Sequence, residues 1–367
     1  MATVREVLSY LDFLAPIALQ EDYDNSGLQL GSYETEVKGL LLCLDVTSAI
    51  IDEAIDKHCN IILAHHPLFF KPLRSINFDT THGKIIQKAT ATGITILAFH
   101  TNFDNQFPGL NQALAQGLHL RNLRVLKPMQ NRLYKLVTFC PVSHADQVRA
   151  ALFSAGAGHI GNYDSCSFNT KGTGTFRALE GANPFVGKLN ELHHEPEERI
   201  EVIFPAFIQE ELLNALISSH PYEEVAYDIY PLANSYSGAG SGIVGELPHR
   251  LPVESFLNQV KEILGTKFLR ISSGRPDEGE ISSVAICGGS GSFLIPEALR
   301  VGASVFITAD LKYHDFTDYG SRILLVDAGH YETEIGGFHQ LSRLLKEKFT
   351  NFAVHFSETG RNPVRYV

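Results

Sequence analysis

Two adjacent histidines, His65 and His66, follow the apolar run 60–64 (NIILA). A short apolar run of this kind is typical of a buried parallel strand. Polar residues at its carboxyl end stand where α/β sheets bind their ligands. Because neighbouring side chains on an extended segment point to opposite sides, two metal ions side by side accommodate both imidazoles more readily than one ion does, unless the backbone bends.

Further candidate ligands follow other apolar runs. Asp104 comes after one of them, and the pair His330 and Glu334 comes after another. A separation of four residues places this pair on one face of a helix, whereas Glu332 would point away. Taken singly, each residue also fits a structural role as a turn histidine, a helix cap or an acid near a helix N-terminus. Their recurrence at strand ends favours a metal site formed by His65, His66, Asp104, His330 and Glu334.

The types of these residues indicate the chemistry. Three histidines and two carboxylates shared between two ions leave coordination positions open for water. Such ligands suit zinc in the first place, and also manganese, iron or nickel, so we expect two divalent ions per chain. Two such cations activate water near neutral pH, which is the chemistry of a hydrolase. The sequence assigns no separate catalytic residue. His100 and Asp310 are candidates for side chains that orient the ligands, and His100 is also a lesser candidate for a ligand.

A glycine-rich segment, 288–292 (GGSGS), lies between a predicted strand and a predicted helix. Its backbone N–H groups could cradle a phosphate, or the segment could be a tight turn, and the pattern leaves both open. The candidate phosphate-binding residues are Gly288, Gly289, Ser290 and Gly291. The polar segment 24–29 (DNSGLQ) could similarly line a cleft or close on itself through Asx turns.

The composition limits the class of protein. A chain of 367 residues is long enough for two or three domains. A net charge of −11 and the lack of a Lys/Arg cluster disfavour nucleic acid as a main partner. No apolar stretch approaches the ~20 residues that span a bilayer, and Val4, Val7, Leu8, Leu11 and Leu14 predict an amphipathic first helix rather than a signal peptide. Five scattered cysteines are typical of reduced thiols in a cytoplasmic protein.

The two outer parts of the chain share one order of predicted elements. In residues 1–127 we expect strands at 39–44, 60–64 and 94–99, with helices at 47–58 and 83–92. In residues 238–367 we expect strands at 281–287, 304–308 and 322–326, with helices at 293–301 and 331–349. This alternation predicts an α/β fold with mainly parallel sheets. The correspondence of 41–66 with 284–312 predicts a duplication into two pseudo-symmetric halves whose ligands meet between them.

The middle of the chain, residues 128–237, follows a different order. We expect strands at 132–139, 165–168, 174–178, 199–204 and 225–230, with helices at 143–154 and 209–218. The resulting β-α-β-β-β-α-β order resembles a ferredoxin-like α+β unit. It is bounded by Lys127-Pro128 and by a Ser- and Gly-rich segment, 234–242, which we expect to be flexible. We therefore predict a module inserted into a two-half domain, with divisions 1–127, 128–237 and 238–367.

Several short motifs resemble those of the NGG-one-interacting-factor-like family of dinuclear metal proteins. They are 24–31 (DNSGLQLG), 64–70 (AHHPLFF), 100–105 (HTNFDN), 288–292 (GGSGS), 308–310 (TAD) and 329–334 (GHYETE). The resemblance implies that the five candidate ligands hold the metals. It also implies a homohexameric ring whose metals face an internal cavity, where a small-molecule ligand could bind. The middle, with 158–166 and 220–228, is similar to the inserted module of the longer bacterial members, which resembles PII and CutA-type signalling domains.

Two functions are consistent with these expectations. Members of the family are often described as homologues of a type 2 GTP cyclohydrolase I, which implies a metal-dependent hydrolase. The sequence, however, contains no base-reading or triphosphate-binding motif. The alternative is a non-enzymatic regulatory toroid that binds metal or ligand and uses the inserted module as a sensor. Turnover by the metal-loaded protein separates the two.

Overall fold

The computed structural model describes residues 2–107, 109–273 and 279–365, which divide into two units. The outer unit comprises Met1–Lys127 and Gly238–Val367, and the inserted unit comprises Pro128–Ser237. The helices are α1 (Val4–Leu14), α2 (Ser48–Asp56), α3 (Thr81–Thr92), α4 (Thr101–Asn105), α5 (Gln112–Gly117), α6 (Ala145–Ser154), α7 (Gln209–Ser219), α8 (Val253–Leu264), α9 (Ile295–Arg300), α10 (Tyr313–Tyr319) and α11 (His330–Lys348). The strands are β1 (Gly27–Leu30), β2 (Gly39–Cys43), β3 (Ile61–Ala64), β4 (Thr95–Ala98), β5 (Arg121–Met129), β6 (Leu133–Pro141), β7 (Phe168–Arg177), β8 (Leu192–Pro205), β9 (Tyr227–Pro231), β10 (Tyr236–Pro252), β11 (Arg270–Ile271), β12 (Glu280–Ser290), β13 (Val305–Ala309), β14 (Leu324–Asp327) and β15 (Ala353–Phe356).

The described strands of the outer unit form two sheets of related topology. Their orders are β1-β4-β3-β2-β15 and β11-β14-β13-β12-β10-β5. In the first sheet β2, β3 and β4 pair in parallel, as do β12, β13 and β14 in the second. In the first sheet β1 pairs antiparallel with β4, and in the second β11 pairs antiparallel with β14. The α/β class predicted from the sequence is confirmed, and the two sheets share a core of three parallel strands flanked by one antiparallel strand.

Burial on both faces explains the apolar strands of the first sheet. The side chains of residues 40–42 and 61–64 are fully buried, because helices cover both sides of a parallel sheet. Helices α1 and α11 pack on one side through residues that include Leu11 and Phe338, and α2 and α3 pack on the other. Helix α2 begins after Thr47, whose side chain accepts a hydrogen bond from the N–H of Ile50, as an N-cap does.

The predicted amphipathic first helix is confirmed as α1, with Val4, Val7 and Leu11 buried. Thr3 and Glu6 form a capping box at its start. Within the part of the chain that the structure describes, no helix combines the length and the apolar composition that crossing a bilayer requires.

The inserted unit has the element order β6-α6-β7-β8-α7-β9, and its sheet order is β7-β8-β6-β9 with antiparallel pairs. This β-α-β-β-α-β order is that of the ferredoxin-like unit. The separate strands predicted at 165–168 and 174–178 are wrong, because one continuous strand, β7 (Phe168–Arg177), begins at the last residue of the first and includes most of the second. Gly172 and Gly174 interrupt its side-chain pattern, yet its backbone pairs with β8 throughout. The likeness to PII and CutA-type domains stays a prediction.

The Ser- and Gly-rich segment 234–242 is not the flexible linker that its composition predicted. Strand β10 begins at Tyr236 and continues to Pro252, and it pairs with β12 from Ile243 onward. Ala239 also forms a bridge with Gln106. Backbone hydrogen bonds need no particular side chain, so pairing with strands distant in sequence orders a segment whose composition favours disorder.

Candidate metal centre

His65 and His66 stand at the end of β3, where the backbone bends. Their ring centroids lie 4.9 Å apart. His65 Nε2 lies 3.6 Å from Glu334 Oε1, and His66 Nε2 lies 3.3 Å from Glu334 Oε2. The bend therefore overrides the alternation of an extended strand, and both imidazoles approach the same carboxylate.

The other predicted ligands reach the same place from different elements. Asp104, on the short helix α4 after β4, places Oδ1 3.6 Å from His65 Nε2. His330 begins α11 directly after β14, and its Nε2 lies 3.0 Å from Oε1 of Glu334, one turn further on. All five side chains named from the sequence are thus brought together by the carboxyl ends of strands from both sheets.

Potential ligand atoms fall into two overlapping groups. Those of His65, His66 and His100 all lie within 4.8 Å of one another, and so do those of His66, His330 and Glu334. His66 belongs to both groups, which suits two cations held close together. His100, predicted as a lesser candidate for a ligand or for an orienting residue, lies within the first of these groups.

Three buried polar atoms test whether this cluster suits a cation. His65 Nε2, Asp104 Oδ1 and Glu334 Oε2 make no hydrogen bond with any described residue, although leaving such groups unsatisfied is costly. They face other candidate ligand atoms at 3.3–3.6 Å. Ligands about 2.0–2.1 Å from one tetrahedral zinc ion stand roughly 3.3 Å apart. The orphaned atoms are therefore spaced as the ligands of a shared cation are.

The outer nitrogens of three imidazoles are held by the protein. His65 Nδ1 lies 2.9 Å from the carbonyl oxygen of Phe99, and His66 Nδ1 lies 2.9 Å from Asp45 Oδ1. His330 Nδ1 lies 2.7 Å from Asp310 Oδ2. Metal-bound histidines typically donate the second ring N–H to such a carbonyl or carboxylate. This arrangement turns all three Nε2 atoms towards the centre of the cluster.

The protonation of the cluster shows that it attracts positive charge. Burial lowers the pKa of His66, but the neighbouring carboxylates of Asp45 and Glu334 outweigh it and raise that pKa to about 10. The hydrogen bond to Glu334 raises the pKa of His330 to about 9. Burial raises the pKa of Glu334, yet the surrounding histidines hold it well below its usual value. Without a metal, protons on the imidazoles therefore supply the positive charge that Glu334 requires.

Two orienting carboxylates lay outside the predicted site. Asp45 comes two residues after the end of β2. Its position after an apolar strand could have identified it from the sequence, by the same rule that led to His65 and Asp104. Asp24, in the segment considered as a cleft lining or a closed loop, lies 2.8 Å from His100 Nδ1 through its Oδ1. It also accepts hydrogen bonds from the N–H and the hydroxyl of Thr101. Asp24 thereby fixes the ring of His100 beside the other histidines.

The glycine-rich segment serves the cluster differently from a phosphate cradle. The N–H groups of Gly288, Gly289 and Gly291 donate hydrogen bonds to the side-chain oxygens of Asn111, Thr333 and Thr308, respectively. These acceptors belong to the protein, which argues against phosphate binding by the same N–H groups. The Ser290 hydroxyl donates to Asp310, the partner of His330.

Gly289 leaves space that Glu334 occupies. A Cβ at Gly289 would lie 2.5 Å from Glu334 Oε1 and 3.4 Å from His330 Nε2. We expect Gly289→Ala to lower the affinity of the protein for zinc by about tenfold or more, as other losses of ligand positioning do. Gly302→Ala is the matched control, because Gly302 also has a positive φ but has nothing within 4 Å of an added Cβ. Competition with a chromogenic chelator measures both affinities, and equal losses in the two variants would contradict the assignment.

A small cavity opens onto the cluster. It has a volume of about 230 Å³, and its lining includes His66, His100, Asp104, His330 and Glu334. Tyr23, Phe70 and Ser290 form other parts of its wall. The described lining contains neither Lys nor Arg, so its positive charge comes from the histidines or from a bound metal. The cavity suits a small ligand that approaches the candidate metal ligands directly.

Comparisons with known proteins agree with this architecture. The family model for Duf34/NIF3 (NGG1p interacting factor 3) matches residues 2–363. A relative from Halalkalibacterium halodurans, named GTP cyclohydrolase 1 type 2 homolog, is 41% identical and is covered over 100% of both chains. A Bacillus subtilis relative of the same name is 37% identical, over 99% of this chain and 98% of its own.

A solved structure extends the likeness to three dimensions. The crystal structure of a Bacillus cereus protein related to NIF3 matches with a TM-score of 0.85 and 38% identity, over 100% of this chain and 99% of that chain. Sequence and fold thus agree along the whole length of the chain. The protein belongs to the Duf34/NIF3 (NGG1p interacting factor 3) family.

Proposed function

We propose that the outer unit binds two divalent metal ions through His65, His66, Asp104, His330 and Glu334 and acts as a metal-dependent hydrolase. The observation that carries the proposal is the set of orphaned, buried polar atoms on His65, Asp104 and Glu334. Zinc is the first choice, because imidazole and carboxylate ligands suit it, and manganese, iron and nickel are the alternatives.

The residues of the chain prepare the site for this chemistry. When bound, two divalent cations lower the pKa of water and stabilise the negative charge that develops during hydrolysis. Asp45, Asp310 and the Phe99 carbonyl hold the ligand imidazoles in place. His100, fixed by Asp24, presents its second nitrogen to a ligand beside the cluster.

The substrate class follows from the cavity. The relatives carry the name GTP cyclohydrolase 1 type 2 homolog, which makes GTP the first substrate to test. The described lining of the 230 Å³ cavity contains neither Lys nor Arg, whereas a triphosphate is normally held by Lys, Arg or backbone N–H groups. A small, uncharged molecule with a hydrolysable carbon centre therefore fits the cavity better than a nucleotide triphosphate does.

A homohexamer in the cytoplasm, inferred from family resemblance, is part of the same proposal.

A regulatory toroid is the second candidate. It is favoured by the large cavity of the inserted unit, about 630 Å³, which shares no lining residue with the candidate metal cluster. In that case the metals would be structural or stored, and the inserted unit would respond to a ligand.

Metal analysis followed by turnover tests the proposal. We expect about two zinc or manganese ions per chain, and His66→Ala should lose both ions and any hydrolysis of GTP or of small neutral amides and lactams. His82→Ala, which replaces an exposed histidine on α3, should behave as the unmodified protein. Failure to take up either metal would reject both candidates. Stoichiometric metal without turnover of any of these substrates would reject the hydrolase in favour of the toroid.

A further inference from the structure

We propose that the inserted unit binds a small organic cation, a protonated amine or amidinium with an apolar body, in a cavity between β7, β8 and the segments 178–185 and 222–226. The inference uses only residues of the inserted unit. It does not depend on the metal centre.

The cavity is large and has aromatic walls. Its volume of about 630 Å³ lies within the range of small-molecule sites. The ring of Tyr222 lies 6.0 Å from that of Phe176 and 6.3 Å from that of Phe185, measured between centroids. All three rings line the cavity, together with Phe139 and Leu179. Aromatic faces bury an apolar body well and also attract a cation placed within about 6 Å.

A buried carboxylate lies in this wall. Glu197 is only 8% exposed, and its Oε1 accepts a hydrogen bond from the hydroxyl of Tyr222 at 2.9 Å. Within the inserted unit, which the structure describes throughout, no cationic side chain pairs with it. Its neighbours on β8 differ, because Glu198 pairs with Arg149 and Glu201 pairs with Lys135. A buried carboxylate without a cationic partner is costly, so a cationic ligand would stabilise it.

Gly174 gives this carboxylate its position. A Cβ on Gly174 would lie 2.0 Å from Glu197 Oε2, so the missing side chain is what allows the carboxylate to lie across β7. Gly174 itself lines the cavity. The second carboxylate oxygen therefore sits at the cavity wall and has no hydrogen-bond donor among the residues of the inserted unit.

The other charged residues that line the cavity do not change its preference for a cationic ligand. Lys171, Arg177 and Arg199 are exposed, as are Glu223 and Glu224. Exposed charges are screened by water and salt, and Arg199 already pairs with Glu201. Glu197 is the only buried charge in the described lining, so the interior of the cavity is selective for positive charge.

The wild-type protein itself provides the first test, by titration with isosteric probes of different charge. Benzamidinium and phenylethylammonium should bind at least about tenfold more tightly than benzamide, benzoate and 2-phenylethanol, because a hydrogen bond to a charged group is worth about a factor of ten or more. Calorimetry or ligand-observed NMR on the full-length protein measures this order. Absence of saturable binding by both cations up to millimolar concentration, or equal or tighter binding of benzoate, would overturn the proposal.

Variants then locate the site. Glu197→Gln keeps the size of the side chain and should weaken benzamidinium at least about tenfold while leaving benzamide unchanged. Glu210→Gln, at an exposed position on α7, is the matched control and should retain benzamidinium affinity. Thermal unfolding verifies that both variants are folded. If Glu197→Gln is folded and binds benzamidinium as the wild type does, the cation site lies elsewhere and the proposal is wrong. If it is not folded, the order in which the wild type binds the cationic, neutral and anionic probes decides.

Discussion

Replacing Glu334 with Gln is expected to reduce the metal content of the protein from about two ions per chain to well below one. Glu334 is 3% exposed, and its two oxygens face the Nε2 atoms of His65, His66 and His330 at 3.0–3.6 Å. Gln preserves the shape of the side chain but removes the negative charge and turns one ligand atom into a donor. We therefore expect zinc affinity to fall by about a hundredfold or more, beyond the 10–100-fold losses typical of residues behind the ligands.

Glu332→Gln is the control for this variant. Glu332 lies on the same helix and is also buried, at 9% exposed, but it accepts a hydrogen bond from the Asn362 side chain at 2.9 Å. It faces none of the three histidines. Elemental analysis and chelator competition should therefore find nearly unchanged metal in this variant. Loss of metal in Glu332→Gln with retention in Glu334→Gln would show that the wrong acid has been assigned.

Replacing Glu53 with Ala is expected to lower the free energy of unfolding of the outer unit by about 3 kcal/mol. Glu53, on α2, is 7% exposed. It accepts hydrogen bonds from the Ser357 hydroxyl at 2.6 Å and from the N–H groups of Glu358 at 2.8 Å and Thr359 at 3.2 Å. The substitution leaves these donors without an acceptor and releases the segment that follows β15.

The effect of Glu53 should also depend on pH in a defined direction. Burial raises the pKa of Glu53, but the N–H of Glu358 and the Ser357 hydroxyl outweigh it, and the pKa falls from 4.5 to about 2. A pKa that is lower in the folded than in the unfolded state stabilises the fold above the unfolded value. The contribution of Glu53 is therefore complete above about pH 4.5 and is lost as the pH falls towards 2.

Urea denaturation of the wild type and of Glu53→Ala checks both statements. The stability difference should stay constant near neutral pH and shrink in acid. Asp56→Ala is the matched control, since Asp56 is an exposed acid on the same helix and surface changes of this kind stay within about 0.5 kcal/mol. A difference that grows in acid would contradict the assigned pKa.

The residues at the strand ends of the candidate site could be predicted from the sequence. Runs such as 60–64 are apolar because both faces of a parallel strand are buried, and the polar residues that follow them stand at the carboxyl edge of the sheet. That rule led to His65, Asp104 and His330, and helical spacing added Glu334. The structure brings these side chains together, and their role as metal ligands stays a prediction until metal binding is measured.

Other features depend on contacts that no local pattern contains. Asp45 holds His66 across two neighbouring strands, and Asp24 holds His100 over a separation of 76 residues. The segment 234–242 is ordered by its partners and not by its composition. A local pattern cannot report such partners, because they meet only when the sheets are assembled.

By itself, the sequence determined the family, the α/β class and which strand ends carry imidazoles and carboxylates. These properties follow from local periodicity, residue type and short motifs. Tertiary structure alone decided that the chain bends at His65 and His66, that Gly289 leaves room for Glu334, and that Glu197 lies buried without a cation. The physical reason is that burial, electrostatic pairing and close approach are properties of groups distant in the sequence, and they exist only once the chain has folded.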